Sequence, residues 1–496
     1  MRIFTKFEKS FIFLTKLIMY STLGLIFFIF FTKQIPYIKK INRTSVISIC
    51  AFIISLYASI KIYGGFLVGK KHTSDIRNSA ILATLISDII TFITLHIMSA
   101  SSINYYEFAA QYIEQNEELE EIIQPEFNVF ISSYIKGKVG PSFLVLILIF
   151  IIQIIVICFF SKFSNALYFK INKPKKTMII YEKTKELIFL VSKIKKSPFR
   201  WEIIDLVKYN SKNILEKIQK NEAVFFSNIP KNQRTFLLKY CYKLGKDIYI
   251  YPDVCDVIIY SSTSLTVDDT TVFSSTDYNL SFEQLLIKRL GDIILATIAL
   301  IITSPIFLIS AIAIKLYDRG PVIFKQKRVT YKGKEFNLLK FRSMIVNADK
   351  NIKNTMVSKN DSRITPIGKI LRRFRLDELP QFINILKGDL SVVGPRPERI
   401  EHVEKFEKKL PEFRYRLKVK AGLTGLAQIM SKYNTTPEDK LTLDLSYIQK
   451  YSLWLDLKII LGTLIIFLKS DSTEGVKKID EETIRFVKAK LNKQQN

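Results

Sequence analysis

Two adjacent carboxylates, Asp377 and Glu378, stand in the run Arg372-Arg373-Phe374-Arg375-Leu376-Asp377-Glu378-Leu379-Pro380. Proline suits the first position of a helix and glycine its end, so Pro380 and Gly388 predict a short helix over Pro380–Lys387. The acids then lie at its N-terminal edge, where the helix dipole and free N–H groups favour carboxylates and phosphates alike. Arg373 precedes Asp377 by four residues and shares its face if the preceding segment is helical. Further cations come from Lys340 and Arg342 in Lys340-Phe341-Arg342-Ser343-Met344, and from Arg396 and Arg399 in Gly394-Pro395-Arg396-Pro397-Glu398-Arg399. Cations around two acids can be a structural salt-bridge network. They can also be a site for phosphoryl groups, because they outnumber the acids and sit among rigid Gly and Pro turns. In the second reading the acidic pair holds Mg²⁺, or one carboxylate attacks phosphorus. Spacing alone leaves both readings open.

Other chemistries find little to build on. The three histidines (His72, His96, His402) and four cysteines (Cys50, Cys158, Cys241, Cys255) have no metal-ligand or disulfide spacing. Any metal is therefore expected to be a hard one, held by carboxylates and phosphates. Gly64 to Lys70 fits G-x-x-x-x-G-K, but Lys71 replaces the required Ser/Thr and the run ends an apolar segment, so no phosphate loop is expected there.

The elements that must carry the site follow from composition. The chain has 496 residues, a net charge of +29, 48% hydrophobic and 24% charged residues, and only 15 Pro and 17 Gly. Disorder is excluded, and the apolar and charged residues are segregated into a membrane part and a soluble part. Apolar runs over 11–32, 46–68, 79–100 and 142–160 are each near the length a membrane span requires. Lys16, Lys61 and Asp88 interrupt them and read as snorkelling or bundle-facing side chains. Seven Glu between 101 and 141, against Lys70, Lys71, Arg77 and the Lys-rich stretch after 160, place that loop outside and both termini in the cytosol. The 33–45 loop, with Lys33, Lys39, Lys40 and Arg43, dissents.

From about 176 to 270 short β-rich runs (Thr177–Tyr181, Ala223–Ile229, Asp247–Tyr251) alternate with helical ones (Trp201–Gln219, Gln233–Leu244). That order predicts a small parallel α/β sheet. No Gly-rich turn follows its first strand, so a structural or regulatory module is expected. Ser261–Asn279 reads as a linker or hairpin. Leu290–Tyr317 is apolar and broken near its middle by Ser304-Pro305, with Lys288 and Arg289 before it and Lys315, Arg319, Lys325, Lys327 and Arg328 after. A helix–break–helix that enters and leaves on the cytosolic face satisfies both basic flanks, and Ser304 can bond a carbonyl freed by Pro305. A kinked fifth span is the alternative. Pro321–Leu339 reads as a hairpin turning at Lys332-Gly333, and Leu457–Lys469, near Trp454, as an amphipathic surface helix.

The stretch from about Phe282 to Ser470 resembles the bacterial sugar transferase family, the monotopic phosphoglycosyl transferases. The residues that carry the likeness are Ser304-Pro305, Lys340-Phe341-Arg342-Ser343-Met344, Leu376-Asp377-Glu378-Leu379-Pro380-Gln381, Gly394-Pro395-Arg396-Pro397 and Gly422-Leu423-Thr424-Gly425. Four spans and an α/β module ahead of them resemble the family's long form, which begins O-antigen, capsule or exopolysaccharide assembly. The resemblance implies a UDP-sugar giving its sugar-1-phosphate to polyprenyl (undecaprenyl) phosphate, with Mg²⁺ and release of UMP. It implies a two-step route in which Asp377 attacks the β-phosphorus and forms an aspartyl phosphosugar. Glu378 is then its acidic partner, sharing the metal, and Lys340, Arg342, Arg372 and Arg396 are the anion-binding residues. Many hexose-specific members have Pro and Trp where this chain has Ala421 and Ala427, and Gly where it has Thr330, which leaves the donor sugar open.

The expected fold class is thus a membrane α-helical bundle plus α/β. Its parts are a four-helix membrane region (1–165), a Rossmann-like α/β module (176–262) and a linker or hairpin (263–284). A mainly α catalytic domain (285–480) with a re-entrant helix (290–317) and a C-terminal tail (481–496) complete it. The expected partners are the two substrates, membrane lipids against the basic surface and a second copy of the chain, with no nucleic acid. The alternatives are a catalytically decayed scaffold of an assembly complex and a transporter using Lys16, Lys61 and Asp88.

Overall fold

The computed structural model describes residues 2–34, 43–63, 66–69, 72–113, 139–275, 280–346, 348, 361–431, 435–467 and 480–492. The chain divides into two compact units, Met1–Lys173 and Pro174–Asn496. Among the described residues the first holds four helices, α1 (Arg2–Gln34), α2 (Arg43–Tyr63), α3 (Thr73–Ile113) and α4 (Val139–Ile171). Each is long and apolar enough to cross a membrane. Ile53, Ile54, Leu144 and Ile155 point outward, as lipid-facing residues must, while small and polar residues meet inside. Ser55 and Ser87 hydroxyls lie 3.0 Å apart, and Gln153 donates to the Leu23 carbonyl at 3.2 Å and to Asp88 at 3.4 Å. Asp88 is therefore a bundle-facing group held by a neighbour, and Lys61 lies over the Tyr57 ring near the end of α2. Lys39, Lys40, Lys70, Lys71 and the run from Glu114 to Lys138, on which the orientation argument leans, lie outside the described residues, as do Gly64 and Lys70 of the rejected phosphate loop.

The second unit opens with β1 (Lys175–Tyr181), α5 (Thr184–Ile194), β2 (Trp201–Lys208), α6 (Ile214–Lys220), β3 (Ala223–Ser227), α7 (Lys231–Lys243), β4 (Asp247–Tyr251) and α8 (Val254–Ser261). The strands form one parallel sheet in the order β2-β1-β3-β4. The expected helix over Trp201–Gln219 is corrected: its first eight residues are strand β2. The pairing slips by one residue between Thr177 and Met178, which face Ile203 and Asp205. That bulge leaves Ile204 unpaired and turns the two-residue alternation of a strand into buried positions at Ile203, Leu206 and Val207, the spacing of a helix face. A hairpin, β5 (Thr263–Val267) and β6 (Thr270–Ser274), follows.

The remaining elements are α9 (Phe282–Asp318), the hairpin β7 (Ile323–Val329) and β8 (Glu335–Phe341), α10 (Pro366–Arg373), α11 (Gln381–Lys387), β9 (Ser391–Val393), α12 (Ile400–Glu407), β10 (Gly422–Thr424), α13 (Leu426–Met430), α14 (Pro437–Gln449), α15 (Leu453–Phe467) and α16 (Glu481–Asn492). The β7–β8 turn contains Lys332 and Gly333, both at positive φ. α9 begins at a capping box between Ser281 and Gln284 and runs 37 residues through Pro305. The missing N–H of Pro305 frees the Ile301 carbonyl, four residues back, and Ser304 Oγ donates to that oxygen at 2.8 Å.

Both ends of α9 are gripped. Near its start Arg289 donates to the Ile385 and Leu386 carbonyls, and Asp292 accepts from Ser391 Oγ and the Val392 amide. Near its end Ile314, Phe307 and Ala311 pack with Phe341 and Leu371. The main core joins Val329, Phe336, Ile385, Phe413 and Tyr447 to Val257 of α8, so the α/β module is continuous with the elements that follow it. Residues read as a C-terminal tail form α16, whose Val487 enters the module's core beside Ile179 and Leu187.

Candidate active site

Strand alternation buries Phe341 under Phe307 and turns Lys340 to the other face. There Lys340 Nζ donates to Glu378 Oε1 at 3.2 Å. Helix α10 is seated on the end of the same strand: a Cβ at Gly368 would stand 2.0 Å from the Ser343 carbonyl oxygen, so only glycine permits the approach. α10 stops at Arg373, and Arg375, at φ 55, reverses the chain. One 3₁₀ turn, Leu376–Glu378, then carries the two acids to the start of α11, with Pro380 as its N-cap and Gly388 (φ 87) at its end. A left-handed non-glycine residue costs about 1 kcal/mol or more, and here it separates the acids from α10.

That reversal decides which arginine serves Asp377. Arg373 is exposed, its guanidinium over the Phe374 ring, and the face-sharing expected from four-residue spacing does not arise. Arg372 instead turns inward, donates through Nε to Ser343 Oγ at 2.8 Å, and its charge acts on Asp377. Arg396 brings Nη2 to 3.9 Å from Glu378 Oε1. Its loop is held by an interlock of two motifs, since a Cβ on Gly422 would lie 2.0 Å from the Gly394 amide nitrogen. Arg416, 3% exposed, donates to the Arg396 carbonyl at 3.0 Å and pairs with Asp444 at 2.8 Å. Of the four cations expected to bind anions, Arg342 alone is spent elsewhere. It forks onto Asp318 at the end of α9 and donates through Nε to the Pro321 carbonyl at 2.7 Å.

The two carboxylates are made different by their surroundings. Burial alone would raise the pKa of Glu378, but Lys340, Arg396 and Arg375 outweigh it and hold the group at about 2. Asp377 is pushed up from the ordinary value, by burial first and by the Glu378 charge, with Lys340 and Arg372 opposing. Apart from its own backbone amide, no donor reaches its carboxylate among the described residues. One acid is pinned and anionic; its neighbour is unpinned and partly stripped of water. Adjacent carboxylates fit a hard cation such as Mg²⁺, which takes one or two carboxylates and completes its shell with phosphate oxygens and water. No cluster of three His, Cys, Asp or Glu occurs among the described residues.

Sequence reasoning missed the supports behind Arg396. Arg416 and Asp444, with Glu398 and the half-buried Lys440, form a charge cluster drawn from three separate segments, in which only Lys440 and Asp444, on one helix, share a local spacing. It also missed that two positions departing from the family pattern meet. The Ala421 amide, which a proline would lack, donates to Thr330 Oγ1, which a glycine would lack, at 3.1 Å.

Residues 283–470 match the bacterial sugar transferase family. The chain is 44% identical over 224 residues to a UDP-glucose:undecaprenyl-phosphate glucose-1-phosphate transferase of Klebsiella pneumoniae, covering 44% of this chain and 47% of that one. It is 42% identical over 181 residues to a UDP-N-acetylgalactosamine-undecaprenyl-phosphate N-acetylgalactosaminephosphotransferase of Aeromonas hydrophila, covering 36% and 43%. A UDP-glucose:undecaprenyl-phosphate glucose-1-phosphate transferase of Caulobacter vibrioides is 38% identical over 190 residues, covering 37% of this chain and 71% of that one. The match with the first two spans about half the length of each relative.

Proposed function

From the premise that the chain belongs to the bacterial sugar transferase family, we propose that it transfers a sugar-1-phosphate from a UDP-sugar to polyprenyl phosphate, releasing UMP, as the first membrane step of a surface polysaccharide. The observation that carries this reading is the division of labour between Asp377 and Glu378. The Asp377 carboxylate attacks the β-phosphorus: an O–P bond forms, the bond to the bridging oxygen breaks, and UMP leaves with the electron pair. The polyprenyl phosphate oxygen then displaces Asp377 from the aspartyl phosphosugar. Partial burial keeps water from the carboxylate, and Glu378 keeps Lys340 and Arg396 beside it to meet phosphoryl charge. Mg²⁺, held by Asp377 and Glu378, would supply further neutralisation of the transferring phosphoryl oxygens.

The same reading takes α9 as re-entrant and places the catalytic domain on the cytosolic face of the inner membrane. Four crossings, α1–α4, then anchor it. Support comes from the grip on both ends of α9. Lys288, Arg289 and Asp292 at one end and Phe307 and Ile314 at the other pack on one soluble domain, while Ile301, Ile302, Leu308 and Ile309 stay exposed. A helix crossing a core about 30 Å thick would carry those two ends to opposite sides. The expected second copy of the chain finds support in the β5–β6 hairpin, where Leu265, Val267 and Val272 are exposed on one face.

The test is UMP release by the purified full chain with undecaprenyl phosphate, Mg²⁺ and a panel of UDP-sugars, with Asp377→Asn alongside. Release with one sugar that Asp377→Asn abolishes is the expected result. A folded, lipid-supplied protein silent across the panel would favour a non-catalytic scaffold.

A further inference from the structure

Arg328 is a half-buried cation with no carboxylate in ion-pair contact among the described residues. Its Nη2 donates to Gln326 Oε1 at 2.5 Å, and its Nε is shut off from water with no partner among the described residues. No carboxylate lies within ion-pair distance of it among those residues. Glu398, whose charge acts on it, is taken up by Arg416 and Lys440, each at 3.6 Å, and Glu335 across the hairpin pairs with Lys327 at 3.6 Å. The position is nevertheless fixed: the next residue's amide, of Val329, donates to the Glu398 carbonyl at 3.1 Å and ties β7 to the Arg396 loop. Desolvation first, and then the charges of Arg396 and Arg399, pull the Arg328 pKa down to about 10, against Glu398 and Glu401. A guanidinium held at such cost beside two others has vacant donors and an excess of positive potential.

Its place in the hairpin relates it to the acids. Phe324 is the cross-strand partner of Lys340, and Arg328 follows it by four residues, so Arg328 and Lys340 project from the same face of the β7–β8 ribbon. Arg396 links the two, approaching Glu378 to 3.9 Å while its charge acts on Arg328. The separation along the strand is about 14 Å at the Cα atoms, which long cationic side chains can narrow to the span of a diphosphate. Arg328 also lies toward the hairpin's tip, away from the base where Pro321 and Asp318 join it to α9. A phosphate carried on a membrane lipid is expected nearer that base, and one carried on a water-soluble nucleotide nearer the tip.

We propose that Arg328 is a phosphate-binding residue of this site, and that it receives the nucleotide-side phosphate of the sugar donor. The assignment rests on the transfer reaction proposed above. In that reaction the nucleotide-side phosphate gains negative charge as the bond to the bridging oxygen breaks, and a cation waiting there stabilises the leaving group.

The test uses the full chain in lipid nanodiscs and the variants Arg328→Gln and Arg328→Lys. UMP binding is measured by calorimetry, and the KM values for UDP-sugar and for undecaprenyl phosphate are measured separately. Arg328→Gln is expected to weaken UMP binding and raise the UDP-sugar KM by about ten- to a hundredfold, the weight of one charge-assisted phosphate contact. Arg328→Lys should recover part of the loss. The undecaprenyl phosphate KM should not move, and the melting temperature should hold or rise, because no carboxylate loses a partner. Unchanged UMP affinity in Arg328→Gln overturns the assignment, whether melting falls (a structural role) or the undecaprenyl phosphate KM rises (an acceptor-side role). If the wild-type chain itself neither binds UMP nor releases it, the reaction falls and the assignment with it.

Discussion

Thr330 and Ala421 should behave as one unit in a double-mutant cycle. Thr330, 3% exposed, uses its hydroxyl twice, donating to the Asp389 carbonyl at 3.1 Å and accepting from the Ala421 amide at 3.1 Å. Thr330→Gly strips both contacts and leaves a buried N–H and a part-buried carbonyl without partners, a cost of about 2–3 kcal/mol. Ala421→Pro removes the donor and sets a ring against the hydroxyl, for about 1–3 kcal/mol. In the double variant the orphan N–H no longer exists and the ring meets no hydroxyl, so the pair should cost less than the sum by about 1–2 kcal/mol. The readout is hydrogen–deuterium exchange of residues 389–393 and 419–424 in the full chain, where every 1.4 kcal/mol of opening energy is about tenfold in rate. Exchange in the double variant should therefore be about five- to thirtyfold slower than additivity predicts. Additivity within about 0.5 kcal/mol would refute the claim that the two departures compensate each other.

Other expectations bear on the site and its supports. Arg416→Met leaves Asp444 and Glu398 buried with one cation fewer, which should destabilise α14 by about 3–5 kcal/mol and slow UMP release. Adding Asp444→Leu should return much of the stability, measured by exchange over 437–449. Asp444 itself titrates near 6, raised by burial against Arg416. Its favourable contribution is full below its unfolded value, about 3.9, and is lost as pH rises through 6, so protection over α14, taken relative to the intrinsic exchange rate at each pH, should fall between about pH 4 and pH 6.5. Glu378 has the opposite sign: held at about 2, it contributes above its unfolded value and loses that contribution as pH falls. Lys340→Gln should shift the acid limb of the rate profile upward in pH. Ser304→Ala leaves the Ile301 carbonyl without its donor, for about 1 kcal/mol. Cysteine labels at 289 and 318 should react from the same side of the membrane, and opposite sides would make α9 an ordinary span.

Much of this protein is legible residue by residue. The acids among their arginines, the Pro380-to-Gly388 helix, the Lys332-Gly333 turn and the parallel sheet all rest on local rules of backbone preference and apolar period, which act over a few residues. Even the help Ser304 gives to the carbonyl freed by Pro305 is a matter of three or four neighbours. What sequence could not decide lies where a distant partner intervenes. A bulge against β1 made a strand look like a helix, and the left-handed Arg375 exchanged Arg372 for Arg373 beside Asp377. Arg342, basic and in a site motif, went to Asp318, 24 residues away along the chain. α16 returned to a sheet formed nearly three hundred residues earlier, where Lys490 caps the Ile203 and Ile204 carbonyls. Charge and apolar surface are properties of a residue, but which charge meets which, and how much water is left between them, is set only when the packed backbone brings them together.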